Sequence, residues 1–336
     1  MTEPHFVFPP DFKWGTATAA HQVEGGNTLN QWWDWEQTPG HIANGDKSGD
    51  ACGWWQDCED DFDRMVELGT NAHRMSIEWS RIEPVDGRFD SAAMDRYRAM
   101  LQGLRQRGIE PMVTLHHFTN PRWLELQGGW ENTELVVSRF KRFVSHVVQS
   151  LGNLCDLWCT INEPNVYAFL GYMQEGTMPP GIEGATNRAL RVMCNMLYAH
   201  AVAYEVLHEA QPYARVGLAH HMRYFQPLNG NNPLDRLVCW VQDYGFNDGI
   251  LTALFKGKWN LLLRSGATSS AHGLVNTLDW IGLNYYTRQG TAFDLSASSS
   301  LFGRQECFPG GVMSDYDYGE IYPQGVLPLL QRLSLA

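Results

Sequence analysis

A carboxylate beside an amide is the first pair in this sequence that could do chemistry: Asn162 and Glu163, followed at once by Pro164. The residues from Leu157 to Ile161 are typical of a buried strand, and a proline cannot continue the ladder of a central strand. The proline also favours an extended backbone at Glu163. A carboxyl at such a strand end, with its pKa raised by burial, suits protonation of a leaving oxygen. Alone, Asn-Glu-Pro also fits a surface turn.

Polar side chains stand at the ends of several other predicted strands. If the strands are parallel, their carboxyl ends meet at one edge and these side chains face a common mouth. A barrel core needs apolar residues, whereas polar residues collected at the mouth suit a ligand rich in hydroxyl groups, such as a sugar. The residues concerned are Gln22, Glu24, Arg74, His116, His117, His220, His221, Asn284, Tyr285 and Tyr286.

The elements that must position these residues alternate between strand and helix. Helical periodicity predicts helices over 57–68, 133–151 and 187–210, and another that Ser91 caps and Gly108 ends. Such alternation predicts parallel βαβ units, hence a barrel or a doubly wound sheet. The barrel is favoured because no Gly-x-Gly-x-x-Gly follows the first strand. Six strands are predicted, at 12–20, 71–77, 109–115, 157–161, 215–219 and 278–283.

The sequence shows no domain boundary, so we expect a single domain over residues 1–336. Region 288–318 lacks periodicity and contains a serine-rich stretch, and we expect it to form a long loop over one face. Several tryptophans lie in polar stretches, where exposed indoles often line grooves for sugars or other flat ligands. They are Trp32, Trp33, Trp35, Trp54 and Trp55.

Composition narrows the class of protein. With 336 residues and 44% hydrophobic content the chain can bury a sizeable core. The net charge of -12 argues against nucleic acid as a partner. No stretch approaches 18 uninterrupted apolar residues and the start lacks a secretion signal, so we expect neither membrane contact nor export, and place the chain in the cytoplasm. Its seven cysteines are expected to be reduced and mostly structural.

The histidine pairs at 116–117 and 220–221 could indicate a metal site, because histidine is a common metal ligand. Neighbouring residues on a strand point to opposite faces, however, so the two members of a pair cannot reach one ion. The sequence contains neither His-Glu-x-x-His nor paired Cys-x-x-Cys motifs. We therefore predict no metal and no cofactor, and of the histidines we favour His117 as a ligand contact.

Six segments in order resemble glycoside hydrolase family 1, the β-glucosidases and related β-glycosidases. They extend from near Phe6 to Leu333 and read FKWGTATAAHQVEGG, HRMSIEWSRIEP, TLHHFTNPRWL, TINEPN, WIGLNYYTR and GEIYPQG. Family members are (β/α)8 TIM barrels and retaining hydrolases, so the resemblance implies an α/β chain with about six of the eight βα units. It also implies an enzyme that cleaves the β-glycosidic bond of small glycosides or oligosaccharides.

The resemblance assigns roles position by position. Glu163 matches the general acid/base, and Asn162 matches the residue that holds the sugar 2-hydroxyl. Gln22 and His117 match residues that bind the sugar. In addition, Arg74 matches the arginine beside the nucleophile, Tyr286 the tyrosine that hydrogen-bonds the nucleophile, and Asn284 a residue that supports the acid/base.

One departure from the family pattern affects function. The second catalytic glutamate of the family lies in a Thr-Glu-Asn-Gly motif, which the 336 residues do not contain. We therefore expect reduced activity, unless another carboxylate or a partner segment substitutes. The late carboxylates that could substitute are Glu306, Asp315, Asp317 and Glu320.

Three hypotheses remain open at this point. The chain is a β-glycosidase, a carbohydrate-binding pseudoenzyme, or an incomplete fragment that needs a complementing segment. Six strands cannot close an eight-stranded cylinder, so self-association or such a segment would have to cover the open barrel.

Overall fold

The computed structural model describes residues 7–174, 176–259, 272–315 and 318–335. Its one sheet has seven strands in sequence order, of which the first six are parallel and the last is antiparallel. The six parallel strands confirm the sequence prediction. The strands are β1 Gly15–Thr18, β2 Ala72–Ser76, β3 Glu110–His116, β4 Leu157–Asn162, β5 Arg215–Pro227, β6 Trp280–Phe293 and β7 Gly303–Glu306.

Helices connect the parallel strands, as expected for βαβ units. The α-helices are α1 Ala20–Val23, α2 Gln31–Glu36, α3 Trp54–Glu67, α4 Trp79–Ile82, α5 Ser91–Gln106, α6 Arg122–Glu125, α7 Thr133–Leu151, α8 Pro164–Tyr172, α9 Thr186–Ala210, α10 Pro233–Asp243, α11 Gly249–Lys256 and α12 Val326–Ser334. A π-helix, Tyr244–Asp248, joins α10 to α11, and short 3-10 helices lie at Ala43–Gly45, Gly129–Glu131, His272–Leu274, Ser298–Ser300 and Pro323–Gly325.

Helix α7 shows how the sequence builds this layer. The side chain of Asn132 caps the helix by accepting from the N–H of Leu135. The apolar residues predicted to share one face, including Phe140 and Phe143, are fully buried against the main core. Full burial of such a side chain contributes about 1.5–3 kcal/mol. The predicted bounds of this helix, 133–151, are confirmed.

The sheet is curved. Asn162 on β4 and Asn284 on β6 are separated by β5, which places them roughly 9–10 Å apart in a flat sheet. Their side-chain amides are nevertheless 3.2 Å apart, Nδ2 of Asn284 donating to Oδ1 of Asn162. Only a sheet that closes toward a barrel brings alternate strands together on its concave face. That face is where the polar strand ends collect.

Three local predictions are wrong. Residues 288–318 do not form one loop, because β6 continues to Phe293 and pairs with β7 in a hairpin. The N-cap of α5 is Asp90, whose carboxylate accepts from the N–H groups of Ala92 and Ala93, and Ser91 is the first residue of the helix. Of the tryptophans expected at the surface, Trp54 is buried.

Candidate active site

Glu163 joins β4 to α8 in a left-handed backbone conformation, with φ 49° and ψ 61°. The extended conformation expected from the following proline is therefore wrong. Pro164 takes the first position of α8, where a missing N–H costs nothing. The N–H of Glu163 donates to the carbonyl of Ala219 on β5 at 2.8 Å. The tight turn places the carboxyl at the carboxyl end of the sheet, where the sequence located it.

The carboxyl of Glu163 is buried among polar groups. Its Oε1 accepts a hydrogen bond of 2.5 Å from Nδ2 of Asn284, and Tyr286 also hydrogen-bonds to it. Nδ1 of His221 lies 3.9 Å from Oε2. Burial raises the pKa of Glu163, although the Asn284 hydrogen bond, the charge of Arg74 and the Tyr286 hydrogen bond each oppose this. The net upward shift favours a carboxyl that keeps its proton.

A chain of hydrogen bonds links Arg74, Asn162 and His117, and the donor and acceptor of each bond can be assigned. Oδ1 of Asn162 accepts from Arg74 Nη2, and a guanidinium can only donate, so the Asn162 amide has one orientation. Its Nδ2 must then donate to Nε2 of His117, 3.2 Å away. Burial lowers the pKa of His117 to about 3, so this histidine is neutral and carries its proton on Nδ1.

That Nδ1–H of His117 has no hydrogen-bond partner among the described residues. His117 lines a cavity of about 400 Å³ with Gln22, Trp32 and Phe118. A buried donor without a partner costs free energy, which a ligand oxygen would recover. Gln22 and His117, separated by 95 positions in sequence, are thus brought together as predicted from their strand ends.

Several polar residues expected at the mouth instead form hydrogen bonds with other parts of the protein. Glu24 is buried and accepts from the hydroxyl of Tyr97 at 2.7 Å. His116 pairs with Oδ1 of Asn120, and His220 with the carbonyl of Asn247. In both histidine pairs the neighbours face different partners, as strand alternation requires. Within the described ranges, no group of three or more metal-binding side chains could hold an ion.

Comparison with known proteins identifies the family. A family model described as Glycosyl hydrolase family 1 matches residues 5–305. The chain belongs to glycosyl hydrolase family 1. It is 29% identical to Beta-glucosidase A of Thermotoga maritima, over 97% of this chain and 75% of that protein. Beta-glucosidase A of Acetivibrio thermocellus is also 29% identical, with the same two coverages.

Solved structures of family 1 members share this fold. A beta-glycosidase from Pyrococcus horikoshii is 33% identical and superposes with a TM-score of 0.85, over 98% of this chain and 74% of that one. The family 1 β-glucosidase from Thermotoga maritima superposes with a TM-score of 0.90 at 28% identity, over 98% and 75% of the two chains. The family 1 chain described here is therefore a glycoside hydrolase with a partial (β/α)8 barrel.

Sequence reasoning placed His221 of β5 at the mouth but assigned it no role in this family 1 site. His221 was grouped with His220, yet its ring lies edge-on to both Tyr286 and Phe246, with centroid distances of 5.0 and 5.3 Å. Arg223 was not considered at all. Strand alternation could have found it, because residues two apart on a strand share a face.

Proposed function

We propose that this chain hydrolyses the β-glycosidic bond of small glycosides or oligosaccharides, with Glu163 as the general acid/base. The observation that carries the proposal is the buried carboxyl of Glu163, whose pKa burial raises while Asn284 and Tyr286 hold its position. A carboxyl that retains its proton can deliver that proton to the glycosidic oxygen as the bond breaks.

The sugar would occupy the cavity beside His117 and Gln22. The neutral His117 offers its Nδ1–H to a hydroxyl oxygen, and Gln22 can both donate and accept. Asn162 links this cavity to Glu163, since it bonds His117 and adjoins the acid/base in sequence. Structures of the Thermotoga maritima β-glucosidase contain glucoimidazole and isofagomine lactam, which supports a sugar-like ligand here.

The mechanism also requires a second carboxylate, and the late carboxylates of the chain are the candidates for it. Retaining hydrolysis needs two carboxyl groups about 5–5.5 Å apart. Glu320 is paired with Arg288, and Glu306 with Arg304, so both are already engaged. Asp317 lies outside the described residues. We propose that the 336-residue chain has low activity, and that a complementing segment or a second copy of the chain is needed for full turnover.

The cavity favours a second candidate function. A chain that binds sugar through His117 and Gln22 without a second carboxylate would act as a carbohydrate-binding pseudoenzyme.

All seven cysteines are free thiols, which supports the cytoplasm as the proposed location. Within the described ranges, no helix has both the length and the apolar character of a membrane span.

Kinetics with aryl β-glycosides tests the proposal. The 336-residue chain should hydrolyse 4-nitrophenyl β-glycosides slowly, and Glu163→Gln should lower the rate by about 10²-fold or more for substrates with poor leaving groups. The rate should fall less for substrates whose leaving groups need no proton. Glu205→Gln, on the exposed side of α9, is the matched control and should behave as wild type. Equal rates for Glu163→Gln and wild type on a poor leaving group would reject Glu163 as the acid.

A covalent trap tests the nucleophile. The chain is incubated with a fluorinated glycoside that captures a glycosyl-enzyme intermediate, and the intact protein is weighed. We expect no added mass, whether the chain is a slow hydrolase or a pseudoenzyme. A stoichiometric adduct would overturn the proposed need for a complementing segment, and peptide mapping would identify the carboxylate.

A further inference from the structure

Arg223 on β5 is a cation without a described carboxylate partner. Its Nε–H is buried and has no hydrogen-bond partner among the described residues, and Nη1 reaches the amide oxygen of Gln289 at a long 3.4 Å. In the described part of the chain it forms no salt bridge, and burial lowers the pKa of its guanidinium. Removing a charge from water without a counter-ion is costly. Such a group is suited to an anionic ligand.

The π-helix holds Arg223 in place on both backbone and side chain. Asn247 brackets the backbone, its Oδ1 accepting from the N–H of Arg223 at 3.1 Å and its Nδ2 donating to the carbonyl at 2.8 Å. The guanidinium lies over the ring of Phe246, with its carbon 5.0 Å from the centroid. A stacked guanidinium keeps the N–H groups at its edge free for an acceptor in its own plane.

An apolar cavity of about 110 Å³ borders Arg223. Its walls come from α8, α9, β5 and the π-helix, and they include Phe169, Leu190, Phe225 and Phe246. An engineered apolar cavity of about 150 Å³ binds benzene, so the space here suits one small ring that projects partly from its mouth.

The cavity adjoins the acid/base. Asn165, two residues after Glu163, forms part of its wall. The charge of Arg223 acts on Glu163 and lowers the pKa of its carboxyl against the larger effect of burial. Between them, His221 lies 3.9 Å from the Glu163 carboxyl and contacts the ring of Phe246. An aglycone whose glycosidic oxygen is protonated by Glu163 as the bond to the sugar breaks would therefore lie near both the cavity and the guanidinium.

We propose that Arg223 and this cavity bind the aglycone, and that they select a small aromatic ring carrying a carboxylate. The inference rests on the proposed β-glycosidase function. The ring occupies the cavity, its carboxylate pairs with the free edge of the Arg223 guanidinium, and the glycosidic oxygen is directed toward Glu163. Pairing of a guanidinium with a carboxylate away from water is among the stronger hydrogen-bonding arrangements in proteins. A neutral ring leaves the guanidinium unpaired.

Binding of free aglycones tests this selectivity directly. Isothermal titration calorimetry compares 4-hydroxybenzoate with 4-hydroxybenzamide, which has the same shape without the charge. We expect the benzoate to bind about ten-fold more tightly, the effect of a charge-assisted hydrogen bond. Arg223→Met should abolish that preference and leave the benzamide affinity within about two-fold. Arg236→Met, which removes an exposed charge from α10, should keep the preference.

Equal affinity of the wild type for the two ligands, or a preference that survives Arg223→Met, would overturn the inference. Circular dichroism checks that the variant is folded, and Arg223→Lys, which retains the charge, should keep part of the preference. Measurement of glycoside hydrolysis distinguishes failure of the aglycone site from failure of the proposed hydrolase function. Turnover of a neutral aryl glucoside without any benzoate preference rejects the aglycone site alone, whereas a benzoate preference in a chain that hydrolyses no glycoside rejects the proposed function.

Discussion

Asn284 opposes the effect of burial on Glu163, because its amide donates to the carboxylate form. Asn284→Ala should therefore raise the pKa of Glu163 further. The protonated acid would persist to higher pH, and the limb of the pH profile that requires it would move upward. Carbon NMR of a glutamate-labelled chain measures this pKa, with Glu163→Gln identifying the resonance. Asn187→Ala, exposed on α9, should change nothing, and a lower pKa in Asn284→Ala would contradict the assignment.

The tautomer of His117 leads to a second prediction at the residue scale. His117 lines the large cavity, and His117→Ala removes its unpartnered Nδ1–H donor, so glucose affinity should fall by about five- to ten-fold, corresponding to about 1 kcal/mol. Ligand-observed NMR titration with glucose measures the change. His146→Ala, whose ring stacks on Phe89 away from the cavity, is the control. Unchanged affinity in His117→Ala would place the sugar elsewhere.

At the residue scale, sequence predicted positions better than conformations. Glu163, Asn162 and Asn284 were expected together from strand ends, and they are in contact. The left-handed backbone at Glu163 was missed, since the proline rule describes an average preference and the start of α8 overrides it. The hydrogen-bond chain from Arg74 to His117 depends on sheet curvature, which no local pattern reveals.

At the element scale, Glu24 connects three parts of the fold. It follows α1, accepts from Tyr97 on α5, and lies 3.3 Å from Arg81 on α4. Burial raises its pKa to about 7 from 4.5. The folded state thus binds a proton more tightly than the unfolded state, and stability falls as pH rises between those values.

Glu24→Gln should remove that part of the pH dependence. Between pH 5 and pH 7.5 the wild type should lose about 2 kcal/mol more unfolding free energy than the variant. Urea denaturation at the two pH values measures the difference. Burial also raises the pKa of Glu125 to about 7, but Glu125 is present in both proteins, so its contribution to the pH dependence cancels in the comparison. Glu67→Gln, exposed at the end of α3, should show the wild-type slope, and an equal slope in Glu24→Gln would contradict the prediction.

Elements with strong periodicity were predictable, and those that depend on tertiary pairing were not. Helix α7 and the six parallel strands agree with the sequence prediction. The β6–β7 hairpin was read as a loop because its residues do not alternate between apolar and polar types. The π-helix at Tyr244–Asp248 has no sequence signature, although it positions both Phe246 and Arg223.

At the scale of the whole molecule, the sheet has an exposed edge. Among the described residues β1 pairs with β2 alone. The aromatic rings of Phe8, Phe12 and Trp14 cluster next to this edge, and Trp14 is 53% exposed. An unpaired strand beside apolar rings is a template for association. We therefore expect the 336-residue chain to self-associate unless a complementing segment covers this edge.

Trp14→Lys should weaken this association about ten-fold or more, since it places a charge where an aromatic ring would be buried. Leu68→Lys is the matched control, because Leu68 is 74% exposed at the end of α3 and away from the edge. Sedimentation velocity over a range of concentrations measures both. A wild-type chain that stays monomeric throughout, or equal effects of the two variants, would exclude this edge as the contact.

The left-handed backbone of Glu163 also has a cost in stability. A residue with a β-carbon pays about 1–2 kcal/mol in that conformation, and glycine does not. Glu163→Gly should therefore melt at a higher temperature than Glu163→Ala, and calorimetry would show this. The glutamate side chain is thus held in a conformation that costs stability, as is common where a residue is needed for function. A reversed melting order would show that this cost is absent.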